Sequence, residues 1–457
     1  MSIVRSFPWM TKRYSAIDGR RNRSVAEWFR GSTKKVLEAF LPAEYKTSVT
    51  PEYMSYMKWQ FVHNTLGAAS GVLSTQALLY AMGLGTGALP LSAAINWVIK
   101  DGFGQLGGVL YATMVGQKFD SDPKHLRFWS AVWLQSATWL EMLAPLAPHL
   151  FILIGSAANV GKNISWLAMS ATKASINKSF CLKENLGDLT AKHGSQATAA
   201  GLLGTAAGIL IGATMDITIY TLIIGFVPIS LLSLWGNYKS LLCTITPSLN
   251  LERASHMVSE AVSVDPHGQL ALDPYMLKSP RQVSEVERFM RETRHISPNG
   301  MLPGIALLPD IGKIHRELPD DVGAEHKQAI VAEMVSSAFC PQTTDRTWSE
   351  NYYIGYLAGS TANKSRNGNI YLWFSTQATS RDMLFGLYHS IALRQLLGQA
   401  PGIGDADAVA ELSDQAYHFA RHSFADFGES LIIKGWDIST VYLAKRSDLV
   451  QVGVSKN

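Results

Sequence analysis

The chain has 457 residues, 47% of them hydrophobic and only 17% charged, against roughly 25% charged in an average soluble protein. Lys/Arg outnumber Asp/Glu by eleven to five in residues 1–60 and ten to seven in 61–246, then fall behind by nineteen to twenty-four. So dilute a basic excess, with few interleaved aromatics, excludes a nucleic-acid partner. Cys181, Cys243 and Cys340 lack paired spacing, which excludes a disulfide framework or zinc site.

Residues 1–58 form a basic N-terminal arm leading into the first apolar segment. Its start, MSIVRSFPWMTKRYSAIDGRRNRS, is Arg/Ser-rich and nearly acid-free. Without an apolar h-region it is no secretory signal; its composition suits a basic arm or an organelle transit peptide.

Residues 59–240 carry the charge deficit. No Asp, Glu, Lys or Arg occurs between Lys58 and Lys100, and Asp216 is the only one between His193 and Tyr238. Runs of about 20 such residues read as membrane spans. Six are expected, over 61–83, 91–116, 127–146, 149–171, 196–214 and 217–237. The connections holding Lys118, Lys124 and Arg127, and Lys173, Lys178, Lys183 and Lys192, are basic, whereas GLGTGALPL and LAPLAP are uncharged. By the positive-inside rule both termini fall on the cytoplasmic side, or its organellar equivalent. Gly67 and Gly71, Gly104 and Gly108, and Gly204, Gly208 and Gly212 recur at four-residue spacing, which lets helix backbones approach closely.

Lys100 and Asp101 fall in the middle of the second expected span, and Glu141 and Lys162 interrupt the third and fourth. A charge at the bilayer centre costs roughly 2.5–3.5 kcal/mol, so each must face protein or water. Neighbours at i and i+1 do not share a helix face, so each is expected to find a partner on another helix, with Glu141 and Lys162 the candidates and the pairing left open. Such a network either sets helix packing or lines a solute path. The loop 172–196 sets topology or meets anionic lipid headgroups.

Residues 241–300 read as a helical linker with a charged helix over 281–294, and residues 301–457 as a soluble α/β domain. NYYIGYLAG and NIYLWFS, joined by a polar turn, predict a hairpin. Helices follow over 379–397 and 406–432, and TVYLAKRSDLVQVGV closes as a strand pair. His418 and His422 are four apart, as in zinc proteases, but Phe419 stands where the general-base Glu would be and a third ligand is missing. GLGTG and GIGDAD match no phosphate or dinucleotide loop. No catalytic residue, cofactor or metal is assigned, and the chain is not read as an enzyme.

Five stretches together resemble the root UV-B sensitive (RUS) family: FLPAEYKTSVTPEYMSYMKWQ (40–60), WVIKDGFGQLGG (97–108), NVGKNIS (159–165), INKSFCLKENLGDLTAKHGSQ (176–196) and WGNYKS (235–240). FADFGESLIIKGWDISTVYL (424–443) is similar to the end of such proteins. The resemblance implies links to auxin transport, vitamin B6 homeostasis and early seedling development, and members that work in pairs. A slighter likeness, to half of a major facilitator transporter, lies in six spans with a basic loop after the second.

The expectation is therefore a six-span polytopic helical membrane domain followed by a soluble mixed α/β domain, supporting transport or homeostasis of a small solute through Lys100, Asp101, Glu141 and Lys162. Its partners would be membrane lipid and a second copy or a RUS relative. The alternative is a non-transporting scaffold that presents its cytosolic domain.

Overall fold

A computed structural model of the chain describes residues 38–82, 91–115, 122–214, 219–290, 295–297, 299, 302–308, 351–357, 368–400 and 406–443. Residues 1–37 of the basic arm, the loops holding GLGTG and Lys118, Asp216, Cys340, most of GIGDAD, the turn of the expected hairpin and the last strand lie outside these residues.

Six long helices occupy the apolar segments: α1 Tyr53–Ala81, α2 Leu91–Val115, α3 Pro123–Met142, α4 Phe151–Phe180, α5 Leu186–Thr214 and α6 Ile219–Leu242. The start of α3 shows how local chemistry sets a boundary. Pro123 takes the first helical position, where its missing N–H is not needed. The Asp122 carboxylate accepts the His125 N–H at 3.3 Å as an N-cap.

The six-span expectation is not met. Among the described residues one helix, α5, is long and apolar enough to cross a membrane, judged by length and composition. Lack of charge was the misleading signal, because a helix without charges can still be polar. Beyond Lys58, α1 has no charged residue, yet it buries Gln60, His63, Ser70 and Ser74. Lys100 and Asp101 break the apolar run of α2, and Asn159, Lys162 and Asn163 break that of α4. The likeness to half of a major facilitator transporter rested on the span count and falls with it.

The chain divides into two compact units interleaved in sequence. The first comprises Met1–Ala88, Thr138–Phe151 and Phe180–Cys243, and the second Leu89–Ala137, Ile152–Ser179 and Thr244–Asn457.

In the first unit α1 is the central helix, packed by α5 and α6. Glycine makes the α1–α5 approach possible: a Cβ at Gly204 would run into the Thr65 carbonyl, and one at Gly208 would lie 2.9 Å from the Ala69 carbonyl. Gly212 packs on Gln76 and Gly67 on Ser233, whereas Gly71 faces open space. Against α6, the rings of Trp59 and Trp235 meet edge to face at 4.8 Å. His63 Nδ1–H donates to the Ser233 carbonyl at 2.9 Å, and Ser233 Oγ donates to the His63 carbonyl at 3.2 Å. His63 and Ser233 thus satisfy each other across the α1–α6 interface, as buried polar groups generally do.

The second unit holds α2, most of α3 and α4, and the C-terminal region. There the chain runs β1 Ser248–Asn250, α7 Leu251–Ala261, β2 Val262–Val264, β3 Leu270–Leu272, α8 Pro280–Val286, β4 His295–Ile296, β5 Gly304–Leu307, β6 Tyr352–Leu357, β7 Asn369–Phe374, α9 Ser380–Gln399, α10 Ala406–Ile433 and β8 Asp437–Tyr442. A four-stranded sheet has the order β4-β5-β7-β6 and is antiparallel except between β5 and β7. Strand period two divides β7 between faces. Ile370, Leu372 and Phe374 join the core under α9 and α10, while Tyr371 and Trp373 pack on the other side. A capping box starts α9: Asp382 accepts the Thr379 N–H at 2.9 Å, and Thr379 Oγ1 accepts the Asp382 N–H at 3.3 Å.

Two details differ from expectation. The charged helix ends at Val286 instead of running to 294, because Glu287 leaves the helix with its carboxylate turned inward onto Arg253. The closing strand β8 pairs in parallel with β1, far back in the sequence.

Candidate functional site

Within the second unit, two of the quoted motifs meet where α2 packs on α4. Lys100 is the centre. Its Nζ lies 2.6 Å from Asp101 Oδ1 and 4.4 Å from the centroid of the Trp97 ring. Trp97 precedes it by three residues, the spacing that shares a helix face. From α4, Asn159 Nδ2 reaches the Lys100 carbonyl at 3.2 Å and Asp101 Oδ1 at 3.1 Å. Asn163 Nδ2 in turn donates to the Asn159 carbonyl at 2.9 Å.

Glycines admit these side chains. A Cβ at Gly104 would collide with the Asn159 and Asn163 amides, and one at Gly155 would lie 2.9 Å from Lys100 Cδ. The motif W-x-x-K-D-G-x-G therefore has a physical reading: ring under the ammonium, carboxylate beside it, and a gap for the facing amide. Lys100 is buried, with 5% of its side chain exposed, but Asp101 is 45% exposed. The pair shows its carboxylate outward and shields its cation behind.

Lys100 and Asp101 pair with each other. Lys100 closes on its own neighbour, because its four-carbon stem bends back across the 100° that separates adjacent positions. Glu141, buried in the first unit, accepts the Ser74 hydroxyl at 2.8 Å. Lys162 is partly buried on α4, three residues beyond Asn159.

A second charged cluster escaped the sequence reading. Lys124 and Arg253 both clasp Glu287: Lys124 Nζ donates to Oε2 at 2.8 Å and Arg253 Nε to Oε1 at 2.7 Å. Lys124 also donates to Ser284 Oγ at 3.0 Å, and Arg253 Nη1 to the Ser248 carbonyl at 2.8 Å. Burial alone would raise the Glu287 pKa, but Arg253 and Lys124 outweigh it and hold the carboxyl below its usual value. Burial lowers Lys124 and pushes Asp122 up to about 7. In sequence Lys124 looked like a loop charge; the one available signal was Pro123, which marks a helix start and so places the lysine inside the fold.

His422 Nδ1 bonds the His418 carbonyl on its own helix at 2.8 Å. Among the described residues no group of three His, Cys, Asp or Glu is placed to hold a metal ion. His389, not singled out in sequence, is fully buried in α9. Its Nε2–H donates to the Ser413 carbonyl at 3.0 Å, so Nδ1 accepts the Tyr352 hydroxyl at 2.9 Å. Burial holds its pKa down at about 4.

Residues 29–265 match the family model described as vitamin B6 photo-protection and homoeostasis domain. Protein root UVB sensitive 3 of Arabidopsis thaliana is 30% identical over 255 residues, 56% of this chain and 56% of that protein. Protein root UVB sensitive 5 of the same plant is 27% identical over 413 residues, 88% of this chain and 74% of the relative. RUS family member 1 of Dictyostelium discoideum is 28% identical over 294 residues, 63% and 54% of the two chains. Matches thus range from about half to three-quarters of these relatives' lengths. No solved structure matches.

Proposed function

This chain belongs to the root UV-B sensitive family, and from that premise we propose that it supports the homeostasis of a small solute linked to vitamin B6, working by binding against a lipid surface. The observation that carries this reading is the Lys100–Asp101 pair: a half-exposed carboxylate set among exposed apolar side chains. On α2, Val98, Phe103, Leu106, Val109 and Leu110 are all more than half exposed. Contiguous apolar surface on this scale marks a covered face. Lipid is the occupant favoured by α5, whose outer Leu202, Leu203, Ile209 and Leu210 are exposed on a helix without a charge after Lys192.

The test is to express the full chain in cells lacking their own family member, then measure vitamin B6 compounds and flotation with phosphatidylcholine vesicles. Wild type restores the vitamin profile and floats; Asp101→Asn floats but does not restore it. Restoration by Asp101→Asn would remove the pair from the mechanism. A chain that fails to float and runs as a dimer, alone or with a relative, would favour the scaffold.

A further inference from the structure

In the first unit the start of α1 and the end of α6 lie together. Trp59 meets Trp235, His63 meets Ser233, and Gln60 Oε1 accepts the Ser240 hydroxyl at 3.2 Å. Each of these helices contains a single Asp, Glu, Lys or Arg, and both are lysines at the shared end, Lys58 and Lys239. We infer that the two lysines, set around the Trp59–Trp235 pair, bind the phosphates of anionic phospholipid headgroups. The inference deepens the proposed function by naming the lipid class, and rests on that reading for the lipid surface.

Both lysines are available to an anion. Lys58 is exposed on α1. Lys239 Nζ lies 5.7 Å from the centroid of the Trp235 ring, one turn earlier on α6. That contact orients the ammonium without neutralising it. Among the described residues neither lysine forms an ion pair, whereas Lys183 and Lys192 of the same unit are matched by Glu44 and Asp188. Lys239 also suits the C-terminal end of its helix, but Lys58 lies near the N-terminus of α1, where the helix dipole gives a cation no support. The two helices thus present positive charge with no carboxylate of their own, complementary to an anionic surface.

The lysines also end an apolar face. On α6, Ile224, Leu231 and Trp235 are exposed at helical spacing, in one stripe that leads to Lys239. On α1, Val62 is exposed one turn after Lys58. From Ile224 to Trp235 the stripe is about 16 Å long at 1.5 Å per residue, close to half of a hydrocarbon core roughly 30 Å thick. Apolar side chains, then an indole, then an ammonium is the order of environments met on leaving a bilayer. Tryptophan rings settle at headgroup level, and lysine stems reach past them to the phosphates. An acidic protein would match the charge but would need no such gradation along the helix axis. Lipid accounts for both.

Flotation of the full chain tests the inference, with vesicles of phosphatidylcholine alone and of a three-to-one mixture with phosphatidylserine. At about fivefold for each basic residue near an anionic surface, the mixture should bind about 25-fold more tightly. Raising the salt to about 1 M, where the screening length is about 3 Å, should remove that gain. Lys58→Gln combined with Lys239→Gln should abolish the gain yet bind phosphatidylcholine as wild type does, which also reports that the variant is folded. Lys58→Arg with Lys239→Arg should keep it. Lys183→Gln with Lys278→Gln removes the same charge from lysines already paired with Glu44 and Glu260, and should keep it too.

The inference is overturned by a gain that survives the glutamine pair, or by an equal loss in the Lys183 and Lys278 control. Equal binding to the two vesicles overturns it as well, while leaving the lipid reading standing. Should the glutamine pair instead dissociate a dimer in sedimentation and leave flotation unchanged, the face belongs to a second copy. A chain that floats only with the mixture, and only through Lys58 and Lys239, keeps this site and removes the apolar contact on which the proposed function depends.

Discussion

Asn159 on α4 holds two acceptors of α2 with one amide, the carbonyl of Lys100 and the carboxylate of Asp101, at 3.2 and 3.1 Å. Hydrogen bonds to charged groups contribute about 1.5–3 kcal/mol. Asn159→Leu keeps the volume and removes the donor, so it should lower stability by about 2 kcal/mol in urea unfolding. Asn159→Asp should do worse, since it sets a second carboxylate against Asp101. An unchanged urea midpoint in both variants would mean that the amide does not hold the helices together.

The glycines of α5 are not equivalent. Gly204 and Gly208 press on the α1 backbone, whereas a Cβ at Gly201 meets nothing within 4 Å. Helix propensity alone favours alanine over glycine by about 1 kcal/mol. Gly201→Ala should therefore raise the melting temperature by a few degrees. Gly204→Ala should lower it, as α1 must shift to relieve the clash. Equal shifts from the two substitutions would contradict the packing described.

Lys124 and Lys183 both form ion pairs, but only one is dry. The Lys124–Glu287 pair has 1% and 3% of its side chains exposed, and the Lys183–Glu44 pair 53% and 73%. Breaking a buried pair from one side costs about 3–5 kcal/mol, while exposed pairs contribute at most about 1 kcal/mol. Lys124→Met should be severely destabilised in denaturant titration, and Lys183→Met close to wild type.

His389 should make the C-terminal region sensitive to acid. Its pKa of about 4 in the fold lies below the ordinary 6.5, so the unfolded chain binds more protons between those values. Stability is then complete above pH 6.5 and is lost as pH falls toward 4, by about 3 kcal/mol in all. Asp122 runs the other way: its pKa is raised to about 7, so its contribution falls as pH rises from about 4 to 7. The test is therefore a difference, comparing wild type with His389→Gln by hydrogen exchange in α9 at pH 5 and pH 7. Whatever Asp122 contributes is common to both chains, so the stability of wild type relative to the variant should be lower at pH 5 than at pH 7, by about 2 kcal/mol.

Local pattern alone placed a good deal of this protein. Apolar runs located six helices, apolar β-rich runs around a polar turn located β6 and β7, and helical spacing located α9, while α3 begins at Pro123, four residues before the apolar run that predicted it. All are decided by residues within a turn or two of each other, where spacing translates directly into geometry. W-x-x-K-D-G-x-G and N-V-G-K-N-I-S were legible as family motifs, and they prove to be the two halves of one helix seam. Their facing required tertiary structure, because Asn159 meets Lys100 across 59 residues of chain. The partner of a charge depends on which helix faces it and how far its stem bends, so Lys100 took Asp101 and Glu141 took Ser74. The same reason hid the Lys124–Arg253–Glu287 cluster, whose members lie more than 30 residues apart. Span count failed on a related ground: uncharged sequence looks alike whether a helix faces lipid or buries its hydroxyls, amides and imidazoles against other helices. Packing alone decides which polar groups are matched inside.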